Sequence, residues 1–373
     1  MKKYIVLLTV LLLVLTGCGK QAAAPTTAPT TQPPTTQATT APTEPGPKGR
    51  SETKLVILLP DEDSLGWGAA GEDLLMMLQN LTYQVELHFA KGDSREQVRQ
   101  LTTAVEDGVD GIIIAPVESA PLMEICAQAE REGIPIFSYD RLLMDTEAVD
   151  YYVSFDYRGM GNTLGEFIIN EKSLTDRTAE TPVSIEFFMG SPEDNNALLL
   201  YKGVMEQLQP YLASGVLVAG SGRTAFEDTC VVDWDAEFVA ETFASRLAGY
   251  YKDGQVPDVI CTVSDSFVDA CVQVLLEKGV SNLPLITGLG GSDGAIMNME
   301  EGKQAITASV DMLELNDRLV QTVDAVMTGK EPEINTPEGC HNNAVDVPAY
   351  LCPFTVQIAS QDLEEDGAED VEY

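Results

Sequence analysis

Asp140 and Arg141 stand directly after Phe137-Ser138-Tyr139, a stretch of strand character. A carboxylate accepts hydrogen bonds and a guanidinium donates several in a fixed fork, so the pair suits the neighbouring hydroxyls of a polyol. A surface ion pair is the plainer alternative. Asn195 and Asn196 close the run Ser191-Pro192-Glu193-Asp194-Asn195-Asn196, which follows another apolar stretch and opens a helical one. Each amide both donates and accepts, which again suits hydroxyl groups, although the same residue types cap helices. Trp67 and Trp234, the two tryptophans of the chain, lie in polar contexts, where a flat indole either stacks on a C–H face or simply packs. Asp265, after Val259-Ile260-Cys261-Thr262-Val263, offers a further acceptor at a strand end.

Other chemistries find little support. The two histidines, His88 and His341, are far apart, which speaks against histidine-centred catalysis or a zinc site. Gly288-Leu289-Gly290-Gly291 matches neither G-x-G-x-x-G nor the P-loop spacing and reads as a tight turn. No G-x-S-x-G elbow, HExxH or EF-hand loop occurs, so no catalytic set, metal or cofactor is expected. Cys126, Cys230, Cys261, Cys271, Cys340 and Cys352 show no metal-ligand spacing. Cys126 and Cys271 fall on apolar helix faces, while Cys340 and Cys352 flank a short segment and leave a disulfide open. With 22 Lys plus Arg against 59 Asp plus Glu, the formal charge of −37 repels phosphate backbones, and nucleic acid is not an expected partner.

These residues need a scaffold, and the hydropathy pattern supplies one. From Lys54 onward, short apolar runs alternate with amphipathic segments: Leu55–Leu59, then Leu74, Leu75, Leu78 and Leu81 on one helical face, then Val85, Leu87 and Phe89 in alternation. Gly111–Ala115 and Ile134–Phe137 continue the series. After about residue 158 it restarts, with strands expected at 183–189, 216–220, 257–262, 284–287 and 304–309, and helices near 196–209, 236–252 and 266–278. Such alternation predicts α/β architecture with parallel sheets covered on both faces. Roughly 300 residues of it exceed one comfortable core, so two similar lobes are expected. Ligands of such sheets sit beyond the carboxyl ends of the strands, where the residues above fall.

The chain ends carry a different message. Lys2 and Lys3 precede the apolar run Ile5–Leu15, too short to span a bilayer comfortably, and Leu15-Thr16-Gly17-Cys18 looks like a bacterial lipobox. Cleavage before Cys18 and lipidation of its sulfur would leave the 373-residue chain without its first 17 residues and anchored to a membrane. A Thr/Pro-rich stretch up to residue 50 reads as a stalk, reaching on the order of 90 Å when fully extended. Gln361–Tyr373 is an acidic, solvated tail.

Together these stretches resemble the periplasmic-binding-protein type I superfamily, in its xylose-binding and multiple-monosaccharide-binding branch. The resemblance runs from about Lys54 to Ser360. It rests on Tyr139-Asp140-Arg141-Leu142, Asp150–Asp156, Gly190–Ala197, Gln209–Gly215, Gly329-Lys330-Glu331-Pro332 and Asn342-Asn343-Ala344-Val345 before Val347–Leu351. It implies two doubly wound parallel-sheet lobes joined by a three-crossover hinge and closing on one sugar. The crossovers fall near Phe155–Arg158, Leu283–Gly288 and Ser309–Leu313. That assigns 54–157 plus 285–311 to the N-terminal lobe, and 158–284 plus 312–360 to the C-terminal lobe. Carried over, Trp67 stacks on the sugar and Asp140 and Arg141 bond its hydroxyls. Asn195, Asn196, Trp234 and Asp265 contribute from the other lobe.

Departures from the family pattern stand at Gly66, Ser264, Gly290 and Asp311. They point toward a neutral or cationic saccharide rather than a common aldose held by the full set. The resemblance implies a monomeric, lipid-anchored binding protein that delivers a monosaccharide to the permease of an ABC importer. A sugar-sensing co-receptor for a histidine kinase or chemoreceptor is the alternative. An enzyme is not expected.

Overall fold

The computed structural model describes residues 48–62 and 66–359; the signal peptide, Cys18, most of the stalk and the acidic tail lie outside them. Lys48 and Arg50, expected in the stalk, already belong to the body. Lys48 Nζ lies 2.6 Å from Asp110 Oδ1, and Arg50 grips both carboxylate oxygens of Asp324 at 2.6 and 2.8 Å.

Strands β1 (Lys54–Leu59), β2 (Gln84–Phe89), β3 (Gly111–Ile114), β4 (Ile136–Tyr139) and β5 (Tyr151–Phe155) are separated by helices α1 (Trp67–Asn80), α2 (Ser94–Glu106) and α3 (Met123–Glu132). The chain then enters α4 (Tyr157–Glu171) and continues through β6 (Val183–Phe188), α5 (Asn195–Ser214) and β7 (Leu217–Ala219). It goes on through α6 (Phe226–Thr229), α7 (Ala236–Tyr250), β8 (Val259–Thr262), α8 (Asp265–Glu277), β9 (Leu285–Leu289), α9 (Asp293–Glu300) and β10 (Ile306–Ser309). Helix α10 (Met312–Met327) and strands β11 (Thr336–His341), β12 (Asp346–Cys352) and β13 (Thr355–Ile358) complete it.

Two sheets result, ordered β11-β12-β5-β4-β3-β1-β2 and β13-β10-β9-β8-β6-β7. The expected pair of doubly wound α/β lobes is present. The pairing is parallel throughout except at one end of each sheet, where β11 runs antiparallel to β12 and β13 to β10. Strand period explains the double cover. Leu55, Ile57 and Leu59 of β1 join a core with Leu74 and Leu78 of α1 and Leu315 and Leu319 of α10. Val56 and Leu58, pointing the other way, join Leu101 and Val105 of α2 and Cys126 of α3. In the second sheet, Phe188, Ile260 and Ile286 pack on α7 and α8.

The lobe assignment made from sequence is corrected in its second half. Strands β9 and β10 pair into the second sheet, with Leu285 opposite Val259, while β12 pairs into the first, with Ala349 opposite Tyr152. The chain therefore passes between the sheets at Phe155–Tyr157, Ser309–Met312 and Cys352–Thr355; the crossover expected at Leu283–Gly288 is not one. An apolar run identifies a strand but not its sheet. The crossover through α8 lays β9 beside β8, as short βαβ connections do. Helix α5 likewise outruns the expected stop before Pro210 and ends at Gly215, whose φ of 77° suits glycine. The open question of Cys340 and Cys352 is resolved by register. Cys340 faces Val347, five residues before Cys352 and so about 17 Å from it along the strand, and both thiols are free.

Helices α4 and α5 meet through glycines. A Cβ on Gly161 would sit 2.2 Å from the carbonyl oxygen of Leu200, and one on Gly203 would sit 2.1 Å from that of Arg158. This close crossing sets the start of α4, where the first crossover ends, against α5, whose first turn carries Asn195 and Asn196.

Candidate functional site

Strand β4 is buried along its length and stops where Asp140 takes a left-handed conformation, φ 57°. Such a conformation costs a non-glycine residue on the order of 1–3 kcal/mol, and a dense set of bonds holds it. The Asp140 carbonyl accepts from the Tyr152 hydroxyl and the Ser154 hydroxyl, both at 2.8 Å. Beyond it, Leu143 N–H donates to Ser138 Oγ at 3.0 Å, and the buried Asn342 amide donates to the carbonyls of Leu143 and Thr146 at 3.0 and 2.7 Å. The β11–β12 hairpin thus braces the loop that presents Asp140 and Arg141.

The Asp140 carboxylate is buried and accepts from the hydroxyl of Tyr157, the first residue of α4, at 2.8 Å. Burial, followed by the neighbouring charge of Asp194, pushes its pKa up to about 6; the Tyr157 hydrogen bond and Arg141 pull the other way.

Across from it, Asp194 caps α5 by accepting from Asn196 N–H at 2.9 Å. The Asn196 side-chain amide donates to the Asp140 carbonyl at 3.2 Å and approaches its carboxylate at 3.4 Å. Asp194 Oδ2 lies 3.2 Å from Arg141 Nε, with Asp194 buried and Arg141 part-buried. Asn195 is half-buried, and its side chain makes no hydrogen bond among the described residues.

Trp67 opens α1 and is 3% exposed. Its ring meets Tyr139 edge-on at 5.8 Å, with the Arg141 guanidinium 5.7 Å from its centroid. Asn316 of α10 accepts from the Tyr139 hydroxyl at 2.6 Å and donates to Ala70 O at 2.9 Å, tying α1 and β4 together behind the indole. Trp234 follows a segment paired to the end of β6, with Met189 N–H on Thr229 O at 2.8 Å and Val231 N–H on Gly190 O at 3.1 Å. The buried Glu186–Arg246 pair secures this segment, since Arg246 also donates to Phe187 O and Asp228 O. The Trp234 indole lies over Gly190, where a Cβ would fall 2.1 Å from Cη2, and stacks on Phe267 at 5.9 Å. Both indole N–H groups are buried without a partner among the described residues.

Asp265 stands apart. Its Oδ1 accepts from Gln304 at 2.8 Å and Thr307 at 2.9 Å, and its Oδ2 from Ser292 N–H at 3.2 Å. All of these donors belong to the second lobe. A Cβ at Gly290 would lie 2.9 Å from Asp265 Oδ2, so the glycine leaves this carboxylate its room. The structure therefore brings Trp67, Asp140, Arg141 and Asn196 into one contact network, places Trp234 on the loop leading to Asn195, and turns Asp265 inward. Of the other departures, Gly66 precedes α1 with φ 75°, Ser264 precedes α8, and Asp311 caps α10 by accepting from Leu313 N–H at 2.8 Å.

Asp194, Tyr152 and Tyr157 were missed as site residues. Asp194 had a legible signal, an aspartate immediately before a helix start; the two tyrosines read as ordinary members of an apolar strand and a helix.

Comparison with known proteins identifies the family. Residues 56–331 match the model of the periplasmic binding protein domain. A multiple sugar-binding periplasmic protein of Azospirillum brasilense is 31% identical over 299 residues, covering 79% of this chain and 83% of its own. A multiple sugar-binding periplasmic receptor of Rhizobium radiobacter is 30% identical, covering 79% and 84%. Among solved structures, an ABC transporter solute-binding protein from Clostridium phytofermentans with bound β-D-glucose superposes with a TM-score of 0.78. It is 32% identical, over 83% of this chain and 94% of its own. The chain belongs to the periplasmic binding protein family, and its role is binding and transport rather than catalysis.

Proposed function

We propose that this protein is an extracytoplasmic receptor, lipid-anchored through Cys18, that captures a monosaccharide between its lobes and hands it to an ABC importer. The names of the relatives support the ligand class: multiple sugars, D-xylose and, in the related crystal structure, β-D-glucose. The observation that carries the reading is the direct meeting of Asp140 from one lobe with Asn196 from the other, with Trp67 in the same network and Trp234 over Gly190, both indole N–H groups unpartnered among the described residues.

In this reading Asp140 accepts hydrogen bonds from sugar hydroxyls, and Arg141, Asn195 and Asn196 donate to sugar oxygens. Trp67 and Trp234 cover the C–H faces. Asp265 shapes the 288–292 loop from below. The three passes at Phe155–Tyr157, Ser309–Met312 and Cys352–Thr355 are the hinge about which the lobes part to admit and release the ligand.

A thermal-shift screen of the mature protein against pentoses, hexoses, deoxy sugars and amino sugars tests this. At least one monosaccharide raises the melting temperature by mass action and changes the fluorescence of the two tryptophans. A flat response to the whole set, with unchanged dimensions in solution scattering, refutes it.

A further inference from the structure

In the loops that leave the carboxyl ends of the non-edge strands, Arg141 is the single cation among the described residues; Lys91 and Arg223 stand on the loops of the edge strands β2 and β7. Acids such as Asp61, Glu118, Glu193 and Asp311 stand on the same loops. Arg141 is itself neutralised by the buried Asp194 from the opposite lobe, at 3.2 Å from its part-buried side chain, and its guanidinium lies against Trp67. The positive ends of helices are the other usual home for a negative charge. At three of them the chain's own carboxylates supply that charge: Asp194 at α5, Asp156 at α4 and Asp311 at α10 each accept a backbone N–H of the first turn, whereas α1, which opens at Trp67, has Gly66 at its cap and no acid in its first turn. With Asp140 ionised, Asp140, Arg141 and Asp194 sum to one negative charge in a buried setting, where such a charge is weakly screened.

We infer that Asp194 sets the charge selectivity of this site: by holding Arg141 and capping α5, it makes the site reject anionic sugars, uronates and sugar phosphates, while admitting neutral and amino sugars. The inference rests on the monosaccharide reading above. Removing the charge at 194 frees the guanidinium for a ligand carboxylate and leaves the α5 dipole without a neutralising anion. An asparagine or serine there still caps the helix, so the fold is kept.

The test is calorimetry at pH 8, where Asp140 is ionised, on the mature protein with glucose against glucuronate and galactose against galacturonate. For whichever neutral sugar binds, its uronate is expected to bind the native protein about a hundredfold more weakly, and the gap is expected to narrow about tenfold in Asp194→Asn and in Asp194→Ser. Equal binding of uronate and neutral sugar by the native protein overturns the inference. So does an unchanged gap in both variants when each melts cooperatively, or a loss of both ligands in equal proportion. If the native protein binds no neutral sugar but takes a uronate, charge selectivity is overturned while sugar binding stands. If it binds none of the four, nor any sugar of the thermal-shift set, the monosaccharide reading itself has failed, and this inference with it.

Discussion

Asn196 and Asp140 belong to different lobes and bond directly, with the Asn196 amide 3.2 Å from the Asp140 carbonyl and 3.4 Å from its carboxylate. Asp140 therefore does two things in one place. Its backbone, held left-handed, anchors the loop of the first lobe and receives the second, and its carboxylate is the group that the proposed function gives to the sugar. Tyr157, at the end of the first crossover, bonds that same carboxylate, so the crossover and the candidate site share an acceptor.

Asp140→Ala is expected to abolish the sugar-induced thermal shift while the ligand-free protein still melts cooperatively. Losing hydrogen bonds to a charged acceptor at about 1.5–3 kcal/mol each weakens binding by about a hundredfold or more. Calorimetry on the variant checks this, and full retention of affinity would mean the site is misplaced.

Affinity should depend on pH through the same group. Its pKa of about 6 lies above the ordinary value of 3.8, so the folded chain holds this proton more tightly than the unfolded chain does. The group's contribution to ligand-free stability is thus greatest below pH 4 and is lost as pH rises through 6, an amount on the order of 2–3 kcal/mol. Sugar binding runs the other way, because a protonated carboxyl accepts poorly. Affinity falls as pH drops below about 6, and Asp140→Asn flattens the profile. A titration of affinity between pH 5 and 8 on both proteins would expose a different origin.

Gly190→Ala places a methyl where the Trp234 ring lies, 2.1 Å from Cη2. Overpacking of this kind costs about 1–3 kcal/mol. The variant is expected to melt lower and to bind sugar more weakly, and its Trp234 emission should shift; measuring that emission in a Trp67→Phe background isolates the second indole.

Asp265→Ala should mainly lower stability. It takes the Asp265 acceptor from Thr307 and from Gln304, which keeps only its bond to Ile306 O, at a cost of about 1–3 kcal/mol. The loss of affinity is expected to be smaller than for Asp140→Ala; a larger one would restore Asp265 as a direct contact.

Thiol titration of the denatured, unreduced protein should find Cys340 and Cys352 both free. An oxidised pair linking them would contradict the β11–β12 register.

The sequence by itself determined the local elements. Leu55–Leu59 and Gly111–Ile114 lie in strands because short runs of consecutive apolar residues suit a sheet covered on both faces, and Leu74 and Leu78 fall on the buried face of α1 because four residues make about one helical turn. It also determined which residue types the strand ends present, since Asp140, Arg141, Asn195 and Asn196 follow apolar runs in plain view. Only the tertiary structure decided which sheet each strand joined, because Leu285-Ile286-Thr287 is equally at home between neighbours of either lobe and only the pairing beside β8 settles it. It alone decided that Asp265 turns inward to Gln304 and Thr307 while Asp194, a helix cap by its position in the chain, reaches across to Arg141. The physical reason is range: burial pattern and capping act over a few residues, whereas the partner of a buried carboxylate is set by whatever donors the folded chain carries to within 3 Å of it.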